Sequence, residues 1–298
     1  MDIKALRYFL AVVQEGNITR AAEKLCIAQP PLSRQMKLLE EELGVTLFTR
    51  GKKHFQLTPE GLFLKQQAEE IVFLMEKTEQ QMGKMREQEY GLVSVGATET
   101  CGVGVLSEMV EKFHELAPNI QFRIWTGSSD EIQDHLEKNL VDIGVIRAPF
   151  PMEQYERHFL KNEAWIAVFS RKHPLAALTE NVVELSLLKE QPLMIPIRRS
   201  VQNEINSWFN EIVSERNIFC FYNSVTSVAG MAERGVGVII CPESARNFLN
   251  EDRLTDREII DPHHESQVFL VKKRYQVLPT AAERFWNFAV QYGQKKKT

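Results

Sequence analysis

Gln29, Ser33, Arg34 and Lys37 lie at i, i+4, i+5 and i+8, a spacing that sets them along one side of a helix. Side chains of these types suit the edge of a nucleic-acid duplex. A glutamine amide can bond adenine at two points, an arginine fork can bond guanine likewise, and serine and lysine can reach phosphate oxygens. Pro30 and Pro31 join the candidate set from the first turn of the same helix, where proline is tolerated. Farther along, the basic turn Arg50-Gly51-Lys52-Lys53 could lie against a phosphate backbone or enter a minor groove. The alternative is that all these are solvated surface charges, since three small helices occur in many folds.

No reaction centre is recognisable elsewhere. The chain has no GxSxG, no HExxH and no phosphate loop, and His173, His263 and His264 lack a serine or carboxylate partner at catalytic spacing. Cys26, Cys101, Cys220 and Cys241 are far apart, with no CxxC pair and no Cys/His cluster. Neither an enzyme, a metal, a cofactor nor a disulfide framework is therefore expected.

Hydrophobic spacing supplies the frame for the first group. Leu6, Phe9, Leu10 and Val13 recur at i, i+3, i+4 and i+7 behind an Asp2 cap, predicting a helix over 3–14. Ile18, Ala21, Ala22 and Leu25 repeat the pattern after Gly16-Asn17, with alanines small enough for another helix to cross closely. A tight turn at 25–28 precedes a third helix over 30–43, whose buried face is Leu32, Met36, Leu39 and Leu43 and whose stop is Gly44. Residues 45–49 and 54–58 read as a hairpin around the basic turn. Thr58-Pro59 then opens a long helix to about residue 88. Its positions Leu64, Ala68, Ile71, Met75, Thr78, Met82 and Met85 alternate steps of four and three, a coiled-coil seam that predicts dimerisation.

From Tyr90 strands alternate with helices, the pattern of parallel α/β units. Strands are expected at 92–97, 120–125 and 141–146 and, after a crossover near residue 160, at 165–169, 193–197, 218–221 and 236–240. Residues 268–271 are expected to rejoin the first set. Helices are expected at 102–116, from a Ser128/Glu131 capping box, at 202–213, at 225–233 and at 280–292. At 298 residues with 44% hydrophobic and 26% charged composition, the chain has room for more than one domain. Its charge is uneven: residues 1–60 hold nine Lys/Arg and seven Asp/Glu, a net of +2, which leaves −6 for the rest of a chain whose total is −4. A basic module on an acidic body predicts that the first part meets phosphate and the second does something else.

The N-terminal run carries a more specific message. A-A-x-x-L at 21–25, Q-P-x-L-S-R-Q at 29–35, L-E-x-x-L-G at 39–44 and L-F-x-R at 47–50, followed by QLTPEG, resemble the signature of the LysR-type transcriptional regulators over nearly all of residues 3–61. The resemblance implies that Gln29, Ser33, Arg34 and Lys37 belong to a recognition helix, that Arg50 is the wing arginine, and that 59–88 is the linker helix of a dimer. It implies double-stranded promoter DNA, a small-molecule effector and RNA polymerase as partners, and a homodimer or dimer of dimers. One position departs: the family commonly has Ser or Thr where this chain has Ala28. A lost cap costs about 1 kcal/mol.

The expected fold is thus α/β overall. It has an all-α winged helix-turn-helix at 1–58 and a linker helix at 59–89. At 90–298 lies a two-lobed α/β domain similar to periplasmic solute-binding proteins, with lobe I near 90–161 and 266–298 and lobe II near 162–265. In such sheets ligands sit beyond the carboxyl ends of strands, against helix N-termini that favour anions. That rule nominates Thr98, Thr100, Cys101, Gly127, Ser128, Ser129 and Arg147 from lobe I, and Pro196, Arg198, Ser224, Val225 and Thr226 from lobe II. Hydroxyls with an arginine favour a small carboxylate, although many such Ser and Thr simply cap helices. Glu99 beside the cleft cuts against an anion and leaves open an amine, or a side chain pointing to solvent. Cys101 at a helix N-terminus could have a lowered thiol pKa and sense oxidation, or be a buried inert thiol. The rival to a regulator is a solute-binding or enzymatic α/β protein with a helical appendage. The N-terminus carries charge at Asp2, Lys4 and Arg7 and has no cleavage site, so a cytoplasmic protein without a membrane span is expected.

Overall fold

The computed structural model describes residues 1–50, 55–84, 90–208, 217–260 and 265–295. The chain forms two compact units, Met1–Gly83 and Lys84–Thr298. In the first, α1 (Ile3–Glu15), α2 (Ile18–Lys24) and α3 (Gln29–Leu43) are followed by β1 (Phe48–Arg50), β2 (Phe55–Leu57) and α4 (Pro59–Lys84). Local chemistry sets the helix ends. The Asp2 carboxylate accepts from the Ala5 amide at 2.7 Å, Asn17 caps α2, and α1 and α3 stop at Gly16 and Gly44 with φ of 59° and 69°. Leu6, Phe9, Val12, Ala21, Ala22, Leu32, Met36, Leu39 and Leu47 close one core. Ala21 is fully buried and Ala22 nearly so, so the helices cross where the side chains are smallest.

The hairpin is antiparallel, with Phe48 opposite Leu57. Its base is fixed to α3 by Glu40, whose Oε1 accepts from the amides of Leu47 at 2.7 Å and Phe48 at 3.2 Å. α4 starts hard against the same base. A Cβ on Gly61 would stand 2.3 Å from the Leu47 carbonyl oxygen, so this position requires glycine. α4 corrects the seam read from the heptads. Leu64 and Ala68 are 8% and 0% exposed within the protomer's own core, joined there by Val72. Spacing cannot tell an inward stripe from an intermolecular one, because both repeat at three and four. Of the expected seam, Ile71 remains exposed and Met75 half-buried; the Met82 side chain and Met85 lie outside the described residues.

The second unit runs β3 (Gly91–Ala97), α5 (Glu99–Cys101), a π-helical turn (Gly102–Leu106), α6 (Ser107–Leu116), β4 (Ile120–Thr126), α7 (Ser129–Glu137), β5 (Ile143–Arg147) and β6 (Tyr155–Glu163). It continues through β7 (Trp165–Ser170), β8 (Val182–Val183), α8 (Leu185–Leu188), β9 (Leu193–Pro196), α9 (Arg199–Trp208), β10 (Ile218–Tyr222), α10 (Val225–Glu233), β11 (Val238–Pro242), β12 (Leu254–Ile259), β13 (Ser266–Lys273) and α11 (Thr280–Lys295). Lobe I is a sheet of order β4-β3-β5-β13-β6, and lobe II one of order β10-β9-β11-β7-β12-β8. Each sheet carries buried apolar clusters on both faces. Two crossings join the lobes: Ala164 between β6 and β7, and the segment from β12 to β13. Residues 268–271 do return to lobe I, in β13, which runs antiparallel to both β5 and β6. No helix among the described residues is long and apolar enough to cross a membrane.

Candidate nucleic-acid interface and ligand cleft

α3 buries Leu32, Met36 and Leu39 and turns Gln29, Pro30, Pro31, Arg34 and Lys37 outward, with Ser33 half-buried beside them. Both prolines sit in the first turn, where no intrahelical amide is missed. The Ala28 position makes no side-chain cap bond, as its methyl group dictates. Lys37 pairs loosely with Glu41 one turn on at 3.5 Å, both exposed, and Arg34 enters no ion pair among the described residues. Of the basic turn, Arg50 ends β1 and its side chain is outside the described residues, as are Lys52 and Lys53. The described face therefore presents an amide, a hydroxyl and two cations on a rigid helix, a set able to bond base edges and phosphates.

In the second unit a cleft of about 110 Å³, open to solvent, lies between the lobes. Its walls include Thr98, Thr100, Gly127, Ser128, Ser129 and Arg147 from lobe I and Pro196, Arg198 and Val225 from lobe II. Strand ends and helix starts put them there: β3 leads into α5, β4 into α7, β9 into α9, and β10 into α10. Ser128 and Glu131 form the expected capping box, with the Ser128 amide 2.8 Å from Glu131 Oε2 and the Glu131 amide 3.2 Å from Ser128 Oγ. Ser129 Oγ sits 3.2 Å from both the amide and the carbonyl of Arg147, so it locks α7 to β5. Trp165, Ile197, Tyr222 and Asn223 also line the cleft. Ile197 and Asn223 follow β9 and β10 directly, so the strand-end rule reaches them; Trp165 starts a crossover strand and carries no such signal.

Arg147 is not the free cation that the strand-end rule supposed. Its guanidinium forms a buried ion pair with Glu163 at the end of β6, and donates to Thr100 Oγ1 at 2.8 Å, Ser244 Oγ at 3.0 Å and Ser266 Oγ at 3.1 Å. Glu163 is 2% exposed, and its other oxygen meets Lys161 at 2.5 Å. These partners come from α5, from β6, from β13 and from the segment after β11, so the arginine ties together both interlobe crossings. A carboxylate from outside would have to compete with an internal one already in place.

Two further nominations fall elsewhere. Cys101 is 1% exposed and outside the cleft wall, and burial pushes its thiol pKa up despite the charge of Arg147 nearby. Of the two readings of Cys101, the buried thiol is the one observed, with its pKa raised and not lowered. Ser224 and Thr226 also leave the wall, because their hydroxyls bond Glu99, which itself lines the cleft from lobe I. Arg198 holds lobe I from lobe II through Asp130, with Nε 2.9 Å from Oδ1, and through the carbonyls of Arg147 and Pro149. Among the described residues no group of three or more His, Cys, Asp or Glu is placed to hold a metal ion.

Comparison with known proteins places both units. Residues 3–62 match the family described as bacterial regulatory helix-turn-helix protein, lysR family, and residues 86–294 match the LysR substrate binding domain. The HTH-type transcriptional regulator BsdA of Bacillus subtilis is 32% identical over 248 residues, covering 81% of this chain and 84% of that protein. The regulator BenM of Acinetobacter baylyi is 28% identical over 269 residues, covering 88% of each. Among solved structures, full-length CbnR complexed with its target DNA is similar in fold, with a TM-score of 0.80 at 22% identity over 98% of this chain and 100% of that one. Full-length BenM gives a TM-score of 0.60 at 25% identity over 100% of this chain and 98% of its own. With an outward polar face on α3, a two-lobed domain later in the chain and both family matches together spanning most of its length, the chain belongs to the LysR family of DNA-binding transcriptional regulators with an effector-binding domain.

Proposed function

We propose that this LysR-type regulator works in the cytoplasm on double-stranded promoter DNA, as a homodimer paired through the later turns of α4 or as a dimer of such dimers. The observation that carries this reading is the outer face of α3, where Gln29 and Arg34 stand exposed while Leu32, Met36 and Leu39 of the same helix are buried. Gln29, Ser33 and Arg34 read base edges, while Pro30 and Pro31 pack at the entry of the helix. Lys37, Arg50, Lys52 and Lys53 neutralise phosphates. Two recognition helices then span half-sites about one helical turn apart.

The cleft between the lobes takes the signal. A small carboxylate suits it best: α7 points its N-terminus there behind Gly127, Ser128 and Ser129, with Thr98 and Thr100 adding hydroxyls and Arg198 a cation. Pro196 and Val225 supply apolar wall. Binding shifts the population of lobe arrangements, and through the oligomer it alters DNA bending and RNA polymerase recruitment.

A gel shift on the intergenic DNA beside its own gene tests the first part, with salt-sensitive, sequence-selective retardation expected and uniform binding to random DNA overturning it. Thermal shift against a panel of small carboxylates, amines and peroxide tests the second. Stabilisation by amines alone would overturn the anionic reading.

A further inference from the structure

Glu99 starts on lobe I and ends on lobe II. It opens α5 at the end of β3, and its carboxylate crosses the cleft to the first turn of α10. There Oε1 accepts from Ser224 Oγ at 2.8 Å and from Thr226 Oγ1 at 2.7 Å, and Oε2 accepts from the Val225 amide at 2.7 Å. Ser224 holds the N-cap position of α10 yet makes no cap bond to a backbone amide of that helix; its hydroxyl meets the glutamate and, at 2.7 Å, the Thr226 hydroxyl. Three donors converging on a carboxylate at the positive end of a helix dipole is how a helix N-terminus binds an anion, and here the anion is the protein's own. Charge-assisted bonds of this length are stronger than neutral ones. Arg198 spans the cleft in the opposite sense, from lobe II onto Asp130 and two carbonyls of lobe I. Charged side chains thus cross between the lobes in both directions, Glu99 and Arg147 from lobe I and Arg198 from lobe II.

We propose that Glu99 is a resident carboxylate that clasps lobe II to lobe I while the cleft is empty, and that an anionic effector takes its place at the first turn of α10. The clasp stands on the Glu99 geometry alone, whereas the displacement rests on the anionic reading of the effector. The arrangement supplies what a conformational switch requires. A ligand moves an equilibrium only by binding its two states unequally, and an anion at α10 binds only where Glu99 has left. Clasp strength then sets the ligand concentration needed to open it.

The test is amide hydrogen exchange and thermal shift on the full-length protein, comparing Glu99→Ala and Glu99→Gln with the parent. In Glu99→Ala the amides at 225–227 should exchange about tenfold faster, as loss of a charge-assisted cap predicts. Sodium formate should slow that exchange again, saturably, whereas sodium chloride of equal ionic strength should not, and the parent should respond to neither. Glu99→Gln keeps an acceptor oxygen and should fall between the two, which preserves the test if the alanine variant folds poorly. Unchanged exchange at 225–227 in both variants, or no difference between formate and chloride, overturns the clasp. For displacement, any carboxylate of the panel that stabilises the parent should bind Glu99→Ala about tenfold more tightly; equal affinity overturns displacement. Should no carboxylate bind either protein, the anionic-effector reading falls and displacement with it, while the exchange result still decides the clasp.

Discussion

Arg34 and Arg147 carry the same guanidinium into opposite surroundings. Arg34 projects from α3 with no ion-pair partner among the described residues, so its charge and its fork of donors are available to a base edge. Arg34→Ala is expected to cost about 1–3 kcal/mol of preference for the cognate operator over random DNA. Binding curves on both duplexes check this, and equal losses on the two would remove the base-reading role. Arg147 is spent inside the protein. Removing it leaves Glu163 buried with only Lys161 and the Ser244 hydroxyl against it among the described residues, and breaking such a pair costs on the order of 3–5 kcal/mol. Arg147→Ala should therefore lower the thermal midpoint of the second unit before any ligand is added; a midpoint within a degree of the parent would show that the pair holds nothing. Both arginines were legible as candidates, one after a proline-headed helix and one at a strand end. Only the second had a buried carboxylate waiting, and nothing local to 143–147 announces Glu163.

The helices were readable because their information is local. Caps at Asp2 and Asn17, stops at Gly16 and Gly44, and the Ser128/Glu131 box each involve residues within a few positions of one another. Strands read less evenly. β6 and β12 gave no signal, since each is rich in charged residues and only three residues of β6 and two of β12 are buried. Sheet position, not alternation, makes them strands: β6 is an edge beside β13, and β12 lies between β7 and the two-residue β8. α4 shows the same limit on a helix, where one periodic stripe is buried in the protomer's own core at Leu64 and Ala68 and exposed at Ile71. Ala68→Asp should unfold the first unit, because the charge would enter a fully buried site. Ile71→Asp should leave helicity intact and shift sedimentation from dimer to monomer. The reverse pattern in circular dichroism and ultracentrifugation would return Ala68 to the seam.

For the whole molecule, the division of charge into a basic first sixty residues and an acidic remainder predicts how binding responds to salt. Each phosphate neutralised contributes about −0.9 to the slope of log affinity against log salt. Lys52→Ala should weaken cognate and random DNA alike and make that slope shallower by about one. A loss confined to the cognate sequence would make Lys52 a base reader. By itself the sequence determined the helices of the first unit, the outward face of α3 and the gathering of hydroxyls at strand ends. All three follow from contacts between near neighbours and from periods of two and 3.6 residues. Only the tertiary structure decided which groups meet. Arg147 finds Ser266 across 119 residues, and Glu99 finds Ser224, Val225 and Thr226 across 125 to 127. Those pairings depend on two crossings of the chain between the lobes, which bring distant segments into a geometry that no local pattern encodes. The residues nominated for an outside ligand were thus in part already holding one another.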